Sequence, residues 1–192
     1  MKTNKKNRQG FSLSVLLMLG LACPISAQTT IEAQTKTTMT EVVRTPIYDA
    51  PQGKEVYIPQ DLRDNDFTKA ASKWSFARCA YTDDVIVFWE KPFGPDLSKA
   101  PDLEGHNMKV DLMNLMGRIQ TFYDYYKNDL KFIKPGSNAD KYRMMVMLNY
   151  SLEGTAYGGD YDGVIGAPWV APTRAQDKKL HCAPHALGNS FQ

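Results

Sequence analysis

The stretch Asp84–Glu90, with the sequence DVIVFWE, decides the fold of this chain. Five of its seven residues are β-branched or aromatic, which favours a β-strand. Its apolar run is continuous rather than alternating, and this indicates a strand that is buried on both faces. Pro92, Gly94 and Pro95 follow immediately, and they predict that the strand ends in a turn.

The clearest helix is predicted further along the chain, at Met108–Asp129. Apolar residues recur there at steps of three and four, which is the period of a helix with one buried face. Asn107 is suited to cap its N-terminus. A second strand is predicted at Lys141–Leu152, along which Tyr142, Met144, Val146 and Leu148 alternate.

A glycine-rich segment follows, and it predicts a loop or a loosely ordered edge strand at Glu153–Gly166. The short apolar run Val164–Val170 is predicted as an edge strand, because its Pro168 suits an edge better than a central position. Pro184 can start a last helix. This order of elements predicts an α/β or α+β fold, a small mixed sheet with helices packed on it.

The first 27 residues have the pattern of a secretory signal peptide. Four basic residues precede the apolar run Phe11–Ala22, and small residues lie before a cleavage site after Ala27. A run of this length is too short to span a bilayer. Attachment of a lipid through Cys23 is a weaker alternative, because Leu21 and Pro24 do not suit that processing. The pattern predicts a protein that is secreted, periplasmic or held at the cell surface.

The charge balance changes once the signal peptide is removed. The whole chain has 23 basic and 21 acidic residues, and loss of the four basic residues leaves 19 against 21, a net charge of −2. No basic patch then indicates a nucleic-acid partner, and no second apolar stretch indicates a transmembrane helix. The remaining chain of about 165 residues fits one domain, with a flexible leader at residues 28–54 and a folded part at residues 55–192.

Two cysteines remain in the expected mature chain, Cys79 and Cys182. In an oxidising compartment they could form a disulfide that closes a long loop. Two unpaired thiols are the equal alternative, because the sequence does not show whether their backbones approach closely enough.

The last residues can be compared with the active-site helix of zinc peptidases. In the pattern His-Glu-x-x-His, two histidines on one helix face bind the metal, and the glutamate activates its bound water. The corresponding residues here are His185, Ala186 and Asn189. Ala186 cannot accept a proton, and the amide of Asn189 is a poor zinc ligand. Ala186 and Asn189 are therefore interpreted as vestigial positions, with no catalytic residue left.

Several further motifs accompany this one. They are Trp74 with Arg78, Val87–Glu90, Phe93–Gly94, Gly158–Gly159 with Gly166, and the ending His185–Gln192. Together they resemble a family of secreted, zincin-like bacterial domains of unknown function, over roughly residues 55–192. The resemblance implies a zincin-like fold with a degenerate metallopeptidase site. It also implies a chain that ends before the third zinc ligand, which would leave the sheet near Val146 and Leu148 partly uncovered.

A second metal arrangement is possible around Cys182. His181, Cys182 and His185 could hold a transition metal such as Zn²⁺ from a loop, although Pro184 argues against one continuous helix. In the alternative, Cys182 is packed or disulfide-bonded and His181 is exposed. His106 is predicted to be an exposed turn residue. No cofactor is expected from the residues present, with zinc as the one candidate.

Weaker signals complete the set of candidates. Asp160 and Asp162 could bind calcium, but the full loop pattern is absent and a polar turn is the simpler interpretation. Glu90 is predicted to be structural. The aromatic cluster is predicted to be mostly core, with sugar stacking possible if part of it is exposed; its members are Trp74, Phe76, Phe88 and Trp89.

Three functional hypotheses follow from these residues. The first is a degenerate zincin-like protein without peptidase activity, and the second is a secreted module that binds a glycan or a peptide. The third is a shortened gene product. The sequence favours the first and keeps the second as its alternative.

Overall fold

A five-stranded mixed sheet organises the chain. In the computed structural model, which describes residues 53–154 and 156–182, the strand order is β1-β2-β3-β5-β4. The strands β2, β3 and β5 are parallel, whereas β1 and β4 are antiparallel edge strands. Their bounds are β1 Cys79–Tyr81, β2 Val85–Trp89, β3 Met144–Leu148, β4 Ala156–Tyr161 and β5 Ile165–Val170. The predicted α+β class is confirmed.

Helices and short turns connect the described strands. The α-helices are α1 Leu112–Asp124, α2 Asn138–Lys141 and α3 Pro172–Ala175, and a π-helical turn at Tyr125–Asp129 continues α1. Single 3₁₀ turns lie at Gln60–Leu62, Phe76–Arg78, Lys91–Phe93 and Leu97–Lys99. None of the helices in the described part is long and apolar enough to cross a membrane. The expected signal peptide, most of the expected leader and residues 183–192 lie outside the described residues.

The two central strands are buried on both faces. All residues of β2 and of β3 are buried, and Val87 lies opposite Val146 in the parallel register. The strand predicted from the DVIVFWE stretch is therefore confirmed. The second predicted strand is shorter than expected at both ends, because α2 occupies residues 138–141 before the chain becomes extended and β3 already ends at Leu148.

The sheet separates two apolar layers. On one face α1 packs through Leu115 and Ile119 against Val87 and Val146. Val146 and Leu148 are fully buried, so the expectation that this face is partly uncovered was wrong. The other face packs against the segment that precedes β1. The predicted aromatic core is confirmed, since no member exceeds 7% exposure: Trp74, Phe76, Phe88 and Trp89.

The long helix begins later than predicted. Its N-cap is Asp111, whose carboxylate accepts a hydrogen bond from the backbone N–H of Asn114 at 3.0 Å. Asn107, the expected cap, instead accepts a hydrogen bond from the N–H of Lys109. The N–H of Val110 donates to the carbonyl of Leu97. This tertiary contact keeps the chain extended up to Asp111.

The prediction that β5 is an edge strand was wrong, because β5 lies between β3 and β4. Its paired positions with β3 are only Trp169 and Val170. The N–H of Asn149 donates to the carbonyl of Val170 at 3.0 Å, so the backbone polar groups of Val170 face β3. Backbone direction alternates along a strand, so the polar groups of Pro168 also face β3. They lie beside a part of β3 that is not paired with β5. The missing N–H of Pro168 therefore removes no ladder hydrogen bond.

The two described cysteines are unpaired. Cys79 belongs to the apolar layer around Phe88, and Cys182 packs against the layer around α1 on the other face. Burial raises the pKa of the Cys79 thiol to about 12 and also raises the pKa of the Cys182 thiol. The free-thiol alternative is the one that the structure shows.

We expect a thiol reagent to distinguish these cysteines. The thiolate is the reactive form, and Cys79 is only 3% exposed, so iodoacetamide should label Cys182 in the native protein and Cys79 only after unfolding. Mass spectrometry of tryptic peptides, with and without urea, measures this. Two cysteines that label only after reduction would show a disulfide instead.

Candidate functional site

The β4–β5 hairpin is the most exposed part of the described sheet. Three residues, Asp162, Gly163 and Val164, connect the paired residues Tyr161 and Ile165, and Asp162 and Gly163 have positive φ values of 59° and 65°. The N–H of Val164 closes the turn by donating to the carbonyl of Tyr161 at 3.0 Å. An Asp-Gly pair at the end of a glycine-rich run was the sequence signal for this hairpin.

Asp162 fixes the hairpin to the rest of the domain. Its carboxylate accepts hydrogen bonds from the hydroxyl of Tyr57 at 3.0 Å and from the backbone N–H of Gln60 at 2.8 Å. This use of Asp162 supports the interpretation as a polar turn rather than a calcium loop. Within residues 53–154 and 156–182, no three His, Cys, Asp or Glu side chains converge as metal ligands.

The outer edge of β4 presents backbone groups to solvent. The polar groups of Val170 face β3, so those of its neighbour Trp169 face β4, and they bond to the paired residue Tyr157. The polar groups of Gly158 must then point away from β5. By the same alternation, the backbone polar groups of Asp160 also point away from β5. Among the described residues, β4 has no second strand partner.

An aromatic surface lies on one face of this edge. The rings of Tyr157 and Trp169 stack with centroids 6.3 Å apart and planes at 10°. Tyr161 lies on the same face, with its ring 6.4 Å from that of Trp169. The buried Trp74 supports Trp169 from below in an edge-on contact at 5.8 Å. Tyr157 is 51% exposed, which leaves an apolar surface for a ligand.

Sequence reasoning missed this surface. The glycines of the segment left a loop and an edge strand open; the structure confirms the edge strand as β4, but its pairing partner was not predicted. Tyr157 and Tyr161 are four residues apart, a spacing that places both side chains on one face of a strand. Recognition of the Asp162-Gly163 turn would have paired them with Trp169 on the returning strand.

A cleft joins the beginning of β4 to the C-terminal segment of the described chain. It has a volume of about 410 Å³ and is lined by Gly154, Ala156, Tyr157, Arg174 and Cys182. The guanidinium of Arg174 donates a hydrogen bond to the carbonyl of Gly154 at 2.8 Å. The first residues of β4 therefore lie beside Cys182. In the sequence, Cys182 precedes His185 by three residues.

The predicted metal ligands do not converge where they are described. The His181 ring is largely exposed, and its Nδ1 lies 2.8 Å from the carboxylate of Asp177. Hydrogen bonds from the backbone and side chain of His181 contribute to lowering the Asp177 pKa to about 2. Cys182 packs against the core instead. His185, Ala186 and Asn189 lie outside the described residues. Within the described residues, His181 and Cys182 do not belong to any group of three metal ligands, and the metal site that includes His185 stays a prediction.

A buried charge network lies at the N-terminal ends of β2 and β3. The Asp84 carboxylate contacts the ammonium groups of Lys54 at 2.6 Å and Lys127 at 3.2 Å. It also accepts a hydrogen bond from Gln120 at 3.3 Å, and Gln120 donates to Asp124 at 2.9 Å. Lys54, the last residue of the expected leader, is thereby connected to the sheet and to α1. Every charge in this network has a partner, which indicates a structural role.

The remaining motif residues also have structural roles. Arg78 is buried and donates to the carbonyl oxygens of Ala70, Ser72 and Lys73, which closes the loop before β1. Glu90 pairs with Lys73 at 3.0 Å and accepts a hydrogen bond from the N–H of Tyr150 at 3.2 Å, as predicted for a structural residue. Two other motif residues, Trp89 and Gly94, are joined by a hydrogen bond from the indole to the carbonyl oxygen. His106 is exposed in a turn, as predicted.

The chain was compared with known protein families, curated proteins and solved structures. A family model described as a family of unknown function, DUF6055, matches residues 49–192. The chain belongs to this family. The DUF6055 match spans the whole described sheet and the segment with His185, Ala186 and Asn189, so the family unit includes the hairpin and this segment. No curated protein and no solved structure matches the chain.

Proposed function

We propose that this DUF6055 protein is exported, is zincin-like without peptidase activity, and binds an extended peptide along the outer edge of β4. The observation that supports this most directly is the row of outward-facing backbone groups at Gly158 and Asp160. A peptide in the extended conformation adds to such an edge by main-chain hydrogen bonds, and nearby side-chain surfaces select its residues.

The edge has few of the features that block strand addition. Exposed edges are commonly protected by lysine, proline or a bulge. The strand β4 has six residues without lysine or proline, and its one charged residue is Asp160. The aromatic surface around Tyr157 and Trp169 lies beside the edge and offers apolar contact to alternate side chains of the peptide. The other edge strand, β1, has three residues and is mostly buried.

The loss of peptidase chemistry is argued from the motif residues. A methyl group at Ala186 cannot take a proton from water, and removal of a general base lowers turnover by roughly two to four orders of magnitude. The amide at Asn189 replaces a metal ligand. Export is argued from the N-terminal pattern of residues 1–27. A protein with these properties would act by binding rather than by cleavage.

We expect the chain beginning at Gln28 to bind fluorescein-labelled β-casein, an unstructured polypeptide, without cleaving it. Gly158→Pro should weaken binding at least about tenfold, because it removes one outward N–H and blocks approach of a peptide. Fluorescence anisotropy measures binding, and gel electrophoresis measures cleavage. Gly158→Ala is the matched control, since it keeps the N–H.

Two results would contradict this proposal. Equal binding by the proline variant and the alanine control would exclude strand addition at this edge. Cleavage of casein that stops with a chelator, together with one zinc per chain, would show an active metallopeptidase. The double variant Ala186→Glu with Asn189→His is the comparison for metal content, because it restores the general base and the second histidine of the motif.

A further inference from the structure

We propose that a second cleft, on the helix-side face of the β4–β5 hairpin, binds one ring of a neutral sugar. This cleft lies between the segment before β3 and the turn of the hairpin. Its volume is about 290 Å³, and its lining includes Phe132, Ser137, Asn138, Tyr142, Asp160 and Gly163. This proposal does not depend on peptide binding at the outer edge of β4, because the side chains that line the cleft differ from those of the aromatic surface around Tyr157 and Trp169.

An exposed aromatic ring forms one wall. Phe132 is 53% exposed, which is unusual for a phenylalanine. Its backbone N–H donates to the carbonyl of Tyr126 at 3.0 Å, and its ring packs against the Tyr126 ring with centroids 5.6 Å apart. These contacts hold the ring in place at the protein surface. An aromatic ring fixed in this way can pack against the C–H face of a sugar.

The polar groups of the cleft are mainly hydrogen-bond acceptors. The hydroxyl oxygen of Ser137 is buried without a hydrogen-bond partner among the described residues. Asn138 uses its amide N–H to hold the carbonyl of Gly163 at 3.2 Å, so its carbonyl oxygen is left for a ligand. Asp160 is exposed and makes no side-chain hydrogen bond or ion pair within residues 53–154 and 156–182. Sugar hydroxyls supply the donors that the exposed oxygens of Asn138 and Asp160 accept.

The other charged group of the cleft is already engaged. Arg143 is 1% exposed, and its guanidinium donates to the carbonyl oxygens of Thr82 and Lys54 and lies against the ring of Tyr81. It is therefore not a free site for an anion. The volume lies at the small end of the range for ligand sites, about 300–1,000 Å³, which favours a single ring over an oligosaccharide.

The test uses the chain beginning at Gln28 and four probes: the methyl glycosides of glucose, galactose, mannose and N-acetylglucosamine. Saturation-transfer NMR should detect at least one of them, with signals from the protons of one sugar face. Phe132→Ala should raise the dissociation constant of that sugar at least about tenfold. Tyr125→Ala is the matched control, because its ring is 50% exposed and outside the cleft lining, and it should leave binding unchanged.

Asp160→Asn is a second variant. It should fold like the wild type, because it changes only an exposed side chain. We expect this variant to raise the dissociation constant of the same sugar at least about fivefold, since a carboxylate accepts stronger hydrogen bonds than an amide. Absence of saturation transfer from all four glycosides would overturn the proposal. Unchanged affinity in both variants would also overturn it, and so would binding of tetramethylammonium in place of the sugars, which would identify a cation site.

Discussion

Replacement of Asp84 by alanine is expected to lower the free energy of unfolding by about 4 kcal/mol. The Asp84 side chain is 11% exposed and has the ammonium groups of Lys54 and Lys127 on one oxygen. Its removal leaves two partly buried positive charges side by side without their counter-ion. Such a loss of one partner is among the most destabilising changes available in a protein.

Urea unfolding of the chain beginning at Gln28, followed by tryptophan fluorescence, measures this effect. Asp83→Ala is the matched control, since Asp83 is the adjacent residue and is exposed. It should change the free energy of unfolding by no more than about 0.5 kcal/mol. Equal effects of the two substitutions would show that the network around Asp84 contributes nothing specific.

The pH dependence of this effect follows from the direction of the pKa shift. Burial raises the Asp84 pKa, but the hydrogen bond and charge of Lys54, with the charge of Lys127, outweigh it and hold the pKa below its ordinary value. The contribution of Asp84 is therefore fully present above the unfolded pKa of about 3.9, and it is lost as the pH falls through the folded pKa. The difference between wild type and Asp84→Ala should shrink below about pH 4.

The Asp124 carboxyl has the opposite effect on the pH dependence of the free energy of unfolding. Burial raises its pKa, the hydrogen bond from Gln120 opposes this, and the charge of Asp84 raises it further. Its contribution favours the folded state below the unfolded pKa and is lost as the pH rises through the folded pKa. Because the charge of Asp84 is one cause of this shift, the difference between Asp84→Ala and wild type also contains the change in the Asp124 pKa.

Replacement of Trp74 by alanine is the second change with a large expected effect, a loss of about 4 kcal/mol. Trp74 is 2% exposed and contacts the ring of Trp169 edge-on at 5.8 Å. Its removal leaves a cavity beneath the aromatic surface of the hairpin, which the surrounding strands can fill only in part. The same urea titration measures the loss.

The control for Trp74 is another aromatic deletion, Tyr125→Ala. Tyr125 is 50% exposed, so its loss should cost less than about 1 kcal/mol. Trp74→Ala should also weaken casein binding, because Trp169 and Tyr157 then lack their support. A variant with full stability would contradict the assignment of Trp74 to the core.

The prediction of the fold succeeded where burial is continuous along the chain. β2 was predicted closely because an unbroken apolar run of this length has few other stable positions than the centre of a sheet. The position of β5 was predicted wrongly, because Pro168 looks like an edge residue in the sequence. Only the limited pairing of β3 and β5 shows that its missing N–H removes no hydrogen bond.

The predicted metal site depends on His185, which lies outside the described residues, whereas the predicted fold can be compared directly. The sequence directed attention to His181, Cys182 and His185, because histidine and cysteine have recognisable ligand chemistry. Asp177 contacts the His181 imidazole and Cys182 packs against the core, but His185 lies outside the described residues, so this metal site stays a prediction. An edge strand was one of the two predictions for residues 153–166, but the aromatic surface at Tyr157 was missed because the pairing of that strand with β5 was not predicted.

The sequence alone determined the central strand and the long helix, since each depends on residue type or on local periodicity. The tertiary structure decided which backbone groups of β4 face solvent and which charges meet at Asp84. Lys54, Asp84 and Lys127 are distant along the chain, so only the packing of α1 on the sheet can bring them together. Likewise, the direction of a strand's N–H groups depends on its neighbour, which local sequence does not specify.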